Sequence, residues 1–102
     1  MILPEDCQTM AEVRAGVDAL DEQIVTLLGT RMRFMDAAAR IKPDRGLVRD
    51  EVRKAAVIDH ARQVAVRVGC PPEVVADLYD RLIEASIAYE FDRFDAIRRS
   101  AR

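Results

Sequence analysis

Residues 10–41 read MAEVRAGVDALDEQIVTLLGTRMRFMDAAARI, and this stretch decides the fold class. Apolar side chains recur at Val13, Val17, Leu20, Ile24, Leu27, Leu28, Met35 and Ala38, a spacing that puts them on one face of an α-helix. The run is free of proline until Pro43. Gly16 and Gly29 lie inside it, and each weakens a helix by only about 1 kcal/mol relative to alanine. Just upstream, Thr9-Met10-Ala11-Glu12 fits a capping box, with Thr9 as N-cap and the Glu12 carboxylate reaching back to the Thr9 amide. The pattern predicts a first helix from about Met10 to Ile41.

Such a helix is hard to cover. At 1.5 Å per residue it is roughly 48 Å long, whereas a compact domain of this size has a radius of gyration of about 13 Å. Downstream, Pro43 to Val48 contains Pro, Asp, Arg and Gly46 and reads as a loop. A second periodic segment runs from about Asp50 with Val52, Ala55, Ala56, Ala61, Val64, Ala65 and Val68, and Gly69 is its expected left-handed closing residue. Pro71 and Pro72 suit the first turn of a third helix, where a missing amide matters least. That helix carries Val75, Leu78, Tyr79, Leu82, Ile83, Ile87, Phe91, Phe94 and Ile97 and is expected to end near Arg98–Ser100 in a basic, frayed tail. The second helix, about 30 Å long at the same rise, cannot cover the first from end to end. A second copy of the chain is the economical cover. The expectation is an all-α, three-helix chain, one domain over residues 1–102, forming an obligate homodimer with each first helix packed along its twin.

The 102 residues include 16 Lys and Arg against 18 Asp and Glu, a net charge of −2. That balance gives no long-range attraction to nucleic acid or to an anionic membrane, so any anion must be bound by a local cluster of bases. No apolar run is long enough to span a bilayer. The opening Met-Ile-Leu-Pro-Glu-Asp-Cys lacks the pattern of a secretory leader. Cys7 and Cys70 are far apart without metal-ligand spacing, and His60, the sole histidine, has no second ligand at helical spacing. Free thiols in a cytoplasmic protein, with no metal and no cofactor, are the expected reading.

The chemical signal lies in polar residues that interrupt the apolar faces. Arg31 sits in the first helix's stripe between Leu27/Leu28 and Met35. Lys42 follows eleven residues later, about 20° from the same azimuth and about 16 Å along the axis. Arg14 is about 25 Å from Arg31 and turned by about 100°, so it joins them only from an antiparallel partner helix. On the third helix Ser86 and Glu90 are i, i+4 neighbours within the stripe of Leu82, Ile83, Ile87 and Phe94. On the second, Arg53 shares a flank with Asp50, Ala56 and Val57. An interior seam of such charges is costly unless paired or filled by a ligand. The plainer alternative is that the stems cover apolar surface while the charged heads reach water. Arg33, Arg40, Arg45, Arg98 and Arg99 read as solvated face or tail residues and are assigned no role.

The order of these motifs resembles a known family. Glu12-Val13-Arg14 precedes Val17-Asp18-Ala19-Leu20-Asp21, and Ile24 through Arg31 follow. Then come Ile41-Lys42, Val48-Arg49-Asp50 with Arg53, and Ile83-Glu84-Ala85-Ser86 up to Glu90. Over nearly the whole chain this is similar to the helical chorismate mutases and the related isochorismate pyruvate lyases of salicylate biosynthesis. The resemblance implies an intertwined dimer with two pockets for a chorismate-type dicarboxylate. It implies that Arg14 of the opposite subunit grips one carboxylate, and that Arg31, helped by Arg53, holds the other. Lys42 would donate to the ether oxygen of the enolpyruvyl group, where negative charge develops as the C–O bond breaks. Glu90 would donate to that oxygen from the other side, while Asp50 and Ser86 line the pocket. No covalent catalysis or metal is implied; the rate would come from electrostatic preorganisation and capture of a compact conformer.

Departures from the family pattern bear on the activity. Glu90 stands where glutamine is frequent, and a carboxyl group there has to carry a proton to donate, as burial favours. Lys54 falls where mutases often have a glutamate contacting the ring hydroxyl. Val48-Arg49-Asp50 and Ser86 match the mutases, whereas Pro4-Glu5-Asp6-Cys7 matches the lyases. The expected activity is rearrangement of chorismate to prephenate. The alternatives are isochorismate cleavage to salicylate and pyruvate, with or without mutase side activity, and a non-catalytic dimerisation module whose charges only set register.

Overall fold

The computed structural model describes residues 2–101, and among them every regular element is helical. Helix α1 spans Met10–Ile41, α2 spans Glu51–Val68 and α3 spans Pro72–Ser100. Short 3-10 turns occupy Pro4–Asp6 and Arg45–Leu47. The all-α expectation holds, and α1 has the bounds read from its periodicity. Within the expected loop after Pro43, the Asp44 carboxylate accepts from the Gly46 amide at 3.2 Å and tightens the chain into the second 3-10 turn. Among the described residues no helix is long and apolar enough to cross a membrane.

The chain divides into two compact units, one up to Phe34 and one from Met35 onward, with the boundary inside α1. The first unit is capped by Thr9, whose Oγ1 accepts from the Glu12 amide at 3.2 Å. The reciprocal half of the expected box differs. The Glu12 carboxylate accepts from the Gln8 amide at 3.4 Å and from the Thr9 hydroxyl at 3.1 Å. The hydroxyl rotates freely and so both accepts and donates here, leaving the carboxylate to satisfy the amide one residue earlier. None of residues 2–34 is buried. Val13, Val17, Leu20, Ile24 and Leu27, the stripe of the helix, remain 39–68% exposed.

In the second unit α2 and α3 form an antiparallel pair. Lys54 meets Asp80 and Glu84 while Arg62 meets Glu73, so rising positions on one helix face falling positions on the other. Gly69, at φ 77°, makes the reversal. Its left-handed conformation strains any residue with a Cβ, and it lets the Cys70 amide donate to Ala65 O at 2.8 Å in the manner of a Schellman cap. Pro72 then enters at the first turn of α3. Buried Ala61, Ala65 and Ala76 line this end of the pair. Towards the other end the core widens to Ala39, Val48, Ile83, Ile87 and Phe94, flanked by Val57, Ile58, Tyr79, Phe91 and Ile97. This core joins the last turns of α1 to the middle of α3, which is where Lys42, Ser86 and Glu90 sit.

Candidate active site

Lys42 is the first residue past α1, and its amide makes a helical bond to Ala38 O at 2.9 Å. Pro43 follows, and proline disfavours helical geometry in the residue before it. The chain therefore leaves the helix at Lys42, whose side chain turns to α3. Its Nζ donates to Glu90 Oε2 at 2.7 Å and, more loosely, to Val48 O at 3.4 Å. Glu90 belongs to the buried face of α3, only 4% exposed among Ile83, Ile87 and Phe94. An ionised carboxylate in such company needs a charged partner, and Lys42 supplies it while keeping 29% of its own side chain exposed. Ser86, one turn earlier and 2% exposed, donates to Leu82 O at 2.7 Å. Among the described residues no buried side-chain nitrogen or oxygen lacks a hydrogen-bond partner. Chemically, the arrangement presents a partly accessible ammonium donor whose acceptor is a buried carboxyl.

The structure thus brings Lys42, Glu90 and Ser86 to one region of the second unit. Asp50 lies at the start of α2, exposed, with its carboxylate accepting from the Arg53 amide at 2.9 Å. That N-cap bond gives Asp50 a structural task of its own. The Arg53 side chain is exposed on the first turn of α2. Arg14 and Arg31 belong to the first unit, Arg14 exposed and Arg31 half-buried on α1.

Three groups absent from the expected site surround it. Arg98, read as part of a solvated tail, is half-buried; its guanidinium stacks on Phe94 at 3.5 Å and donates to Ala39 O and Lys42 O. Arg45 stacks on Phe91 at 4.4 Å and forms a two-bond fork with Asp95, which holds the Asp95 carboxyl below its usual range. Arg98 departs from the solvated reading because a phenyl ring and two carbonyl acceptors, distant in sequence, offer its guanidinium more than water does, whereas Arg45 keeps 57% of its side chain exposed, as expected. Tyr89 and Arg93 both donate to Asp36 Oδ1, at 2.7 and 3.1 Å, tying α3 to the last turns of α1. The i, i+4 spacings of Phe94 with Arg98, Phe91 with Asp95 and Tyr89 with Arg93 were the local signals available for these contacts.

Lys54, the departure noted in the sequence, is engaged within the fold. Its Nζ reaches Asp80 Oδ1 and Glu84 Oε2, each at 2.9 Å, while Arg49 grips both oxygens of Glu84 at 2.8 and 3.1 Å. The Arg49 fork first, and Lys54 second, hold the Glu84 carboxyl down at about 2. A depressed folded value means that Glu84 contributes stability above its ordinary value near 4.5 and loses it as pH falls toward about 2. Glu84→Gln is therefore expected to unfold at lower urea than the parent at pH 7, with the gap closing near pH 2. A gap of constant size across that range would show that the charge is not what matters.

Comparison with known proteins places this geometry in context. The family model described as chorismate mutase type II matches residues 13–91. The chain is also 31% identical over 101 residues to a Pseudomonas aeruginosa protein named isochorismate pyruvate lyase, covering 99% of this chain and all of that one. The match to the family model takes in Arg14, Arg31, Lys42, Asp50, Arg53, Ser86 and Glu90 and stops short of Arg98.

Proposed function

The chain belongs to the chorismate mutase type II family and is an enzyme, and from that premise we propose that it converts chorismate to prephenate by a pericyclic rearrangement. One observation carries the reading: the Lys42 ammonium lies 2.7 Å from Glu90 Oε2, at the edge of an apolar core. Breaking the C–O bond of an enolpyruvyl ether puts negative charge on the ether oxygen. A donor already fixed and partly desolvated stabilises that charge without reorganising at the moment of reaction.

In this reading the ether oxygen accepts from the Lys42 ammonium, which Glu90 holds in place from the core side. Arg31, assisted by Arg53, binds one carboxylate. Arg14 reaches the second from another copy of the chain, and Asp50 and Ser86 line the cavity. All of these side chains act by position and charge, and the rearrangement is unimolecular, so no cofactor is invoked. The exposed stripe of α1 supports a homodimer, since a helix whose apolar face meets only water gains little from folding. Free Cys7 and Cys70 fit a reducing cytoplasm. The whole chain acts as one domain.

A second reading, isochorismate cleavage to salicylate and pyruvate, is favoured by the likeness to the Pseudomonas aeruginosa protein along its full length. Both reactions break an enolpyruvyl ether C–O bond, so the same ammonium serves either. Incubating the pure protein with chorismate and with isochorismate, while following substrate loss and pyruvate release, separates them. Chorismate consumed without pyruvate supports the mutase; pyruvate from isochorismate alone assigns the lyase. Inertness toward both substrates would leave a dimerisation module.

A further inference from the structure

We propose that Arg98 is a positioning residue for Lys42, acting on its backbone rather than on the substrate; the inference rests on the role given to Lys42 above. The last carbonyls of an α-helix have no intrahelical donor. At the end of α1 two such acceptors, Ala39 O and Lys42 O, are three residues apart and receive the two terminal nitrogens of Arg98, at 2.5 and 2.6 Å. The second of them is the carbonyl of the very residue whose ammonium pairs with Glu90.

The arrangement is held from both sides. Arg98 lies over the Phe94 ring, and Phe94 is 7% exposed in the core, so the guanidinium plane is set by packing before it meets α1. A cation at a helix C-terminus also complements the partial negative charge of the helix end. Pro43 has already pushed Lys42 out of helical geometry, leaving its backbone without the usual continuation of the ladder. Arg98 replaces that continuation. It pins the pivot from which the lysine stem projects, and Glu90 receives the far end. Both Glu90 and Arg98 lie on α3, eight residues apart, so one helix fixes the two ends of the catalytic lysine.

A planar fork is required for this task. An ammonium has three rotatable donors and no planar fork, so it holds two carbonyls less rigidly. Arg98→Met keeps an aliphatic stem over Phe94 and removes the donors. It is expected to lower kcat by about tenfold with KM changed less than about twofold, because a misplaced donor weakens the transition state more than the bound substrate. Arg98→Lys should recover only part of the loss. Both variants should also shift the ¹⁵N resonance of the Lys42 ammonium, identified by its absence in Lys42→Met. Should Arg98→Met not fold, Arg98→Lys carries both readouts.

A kcat within twofold of the parent overturns the inference. So does an unmoved Lys42 resonance, or a KM that rises as much as kcat falls. If the parent protein turns over neither chorismate nor isochorismate, the proposed reaction fails, and the resonance alone decides whether Arg98 sets the position of Lys42.

Discussion

Lys42→Met is expected to lower kcat by about 100- to 1000-fold, the scale seen when one preorganised donor to a developing oxyanion is removed. The size follows from where Lys42 sits. Its ammonium is held by Glu90 and Val48 O, so it needs little rearrangement to meet an oxygen that gains charge only as the C–O bond breaks. The substitution also leaves Glu90, 4% exposed, without its cation, and a buried hydrogen bond to a charged group stabilises by about 1.5–3 kcal/mol. Loss of activity alone would therefore confuse a damaged fold with a missing donor. The double variant Lys42→Met with Glu90→Leu separates them. Replacing a buried ion pair by apolar side chains is often neutral or stabilising, so urea midpoints should return toward the parent while kcat stays low. Near-parent turnover in Lys42→Met, with the fold intact, would remove Lys42 from the mechanism.

Most of the helical framework was readable because its signals are local. Pro43 ends α1 by denying helical geometry to Lys42, Asp50 caps α2 through the Arg53 amide, and Gly69 closes α2 in the left-handed region. Each is decided within five residues of chain. Azimuth counting on α1 and α3 put Lys42, Ser86 and Glu90 on apolar faces, and the fold places Ser86 and Glu90 in the core with Lys42 beside them. Spacing within one helix could not say that Lys42 and Glu90 meet, since 48 residues separate them.

The placement of Arg98 was less legible. On a helical wheel it is a base at the edge of a stripe, and solvent is the default place for its head. What keeps it against the protein is a ring and acceptors supplied by tertiary packing, Phe94 and the end of α1. Thr9 and Glu12 show the same limit on a smaller scale. The box was legible, but a rotatable hydroxyl decided which amide the carboxylate reached.

Mixing two inactive variants, Arg14→Ala and Lys42→Ala, is expected to restore about a quarter of parental activity once subunits exchange. The figure follows from two-fold symmetry: half of the dimers in an equal mixture are hybrids, and each hybrid has one pocket with both changes and one with neither. The physical basis is α1 itself. From Met10 to Phe34 it extends about 36 Å by helical rise, with none of its residues buried and the stripe of Val13, Val17, Leu20, Ile24 and Leu27 open. In the proposed dimer the equivalent stripe of a second chain, running antiparallel, would cover this one and bring Arg14 of one copy to the pocket of the other. Arg14 and Lys42 then belong to one pocket only when they come from different chains. Hybrid formation can be followed independently by mass spectrometry of differently tagged subunits. Hybrids present in the expected proportion but no more active than either parent variant would mean that each pocket draws Arg14 and Lys42 from the same chain, or that Arg14 has no part in it.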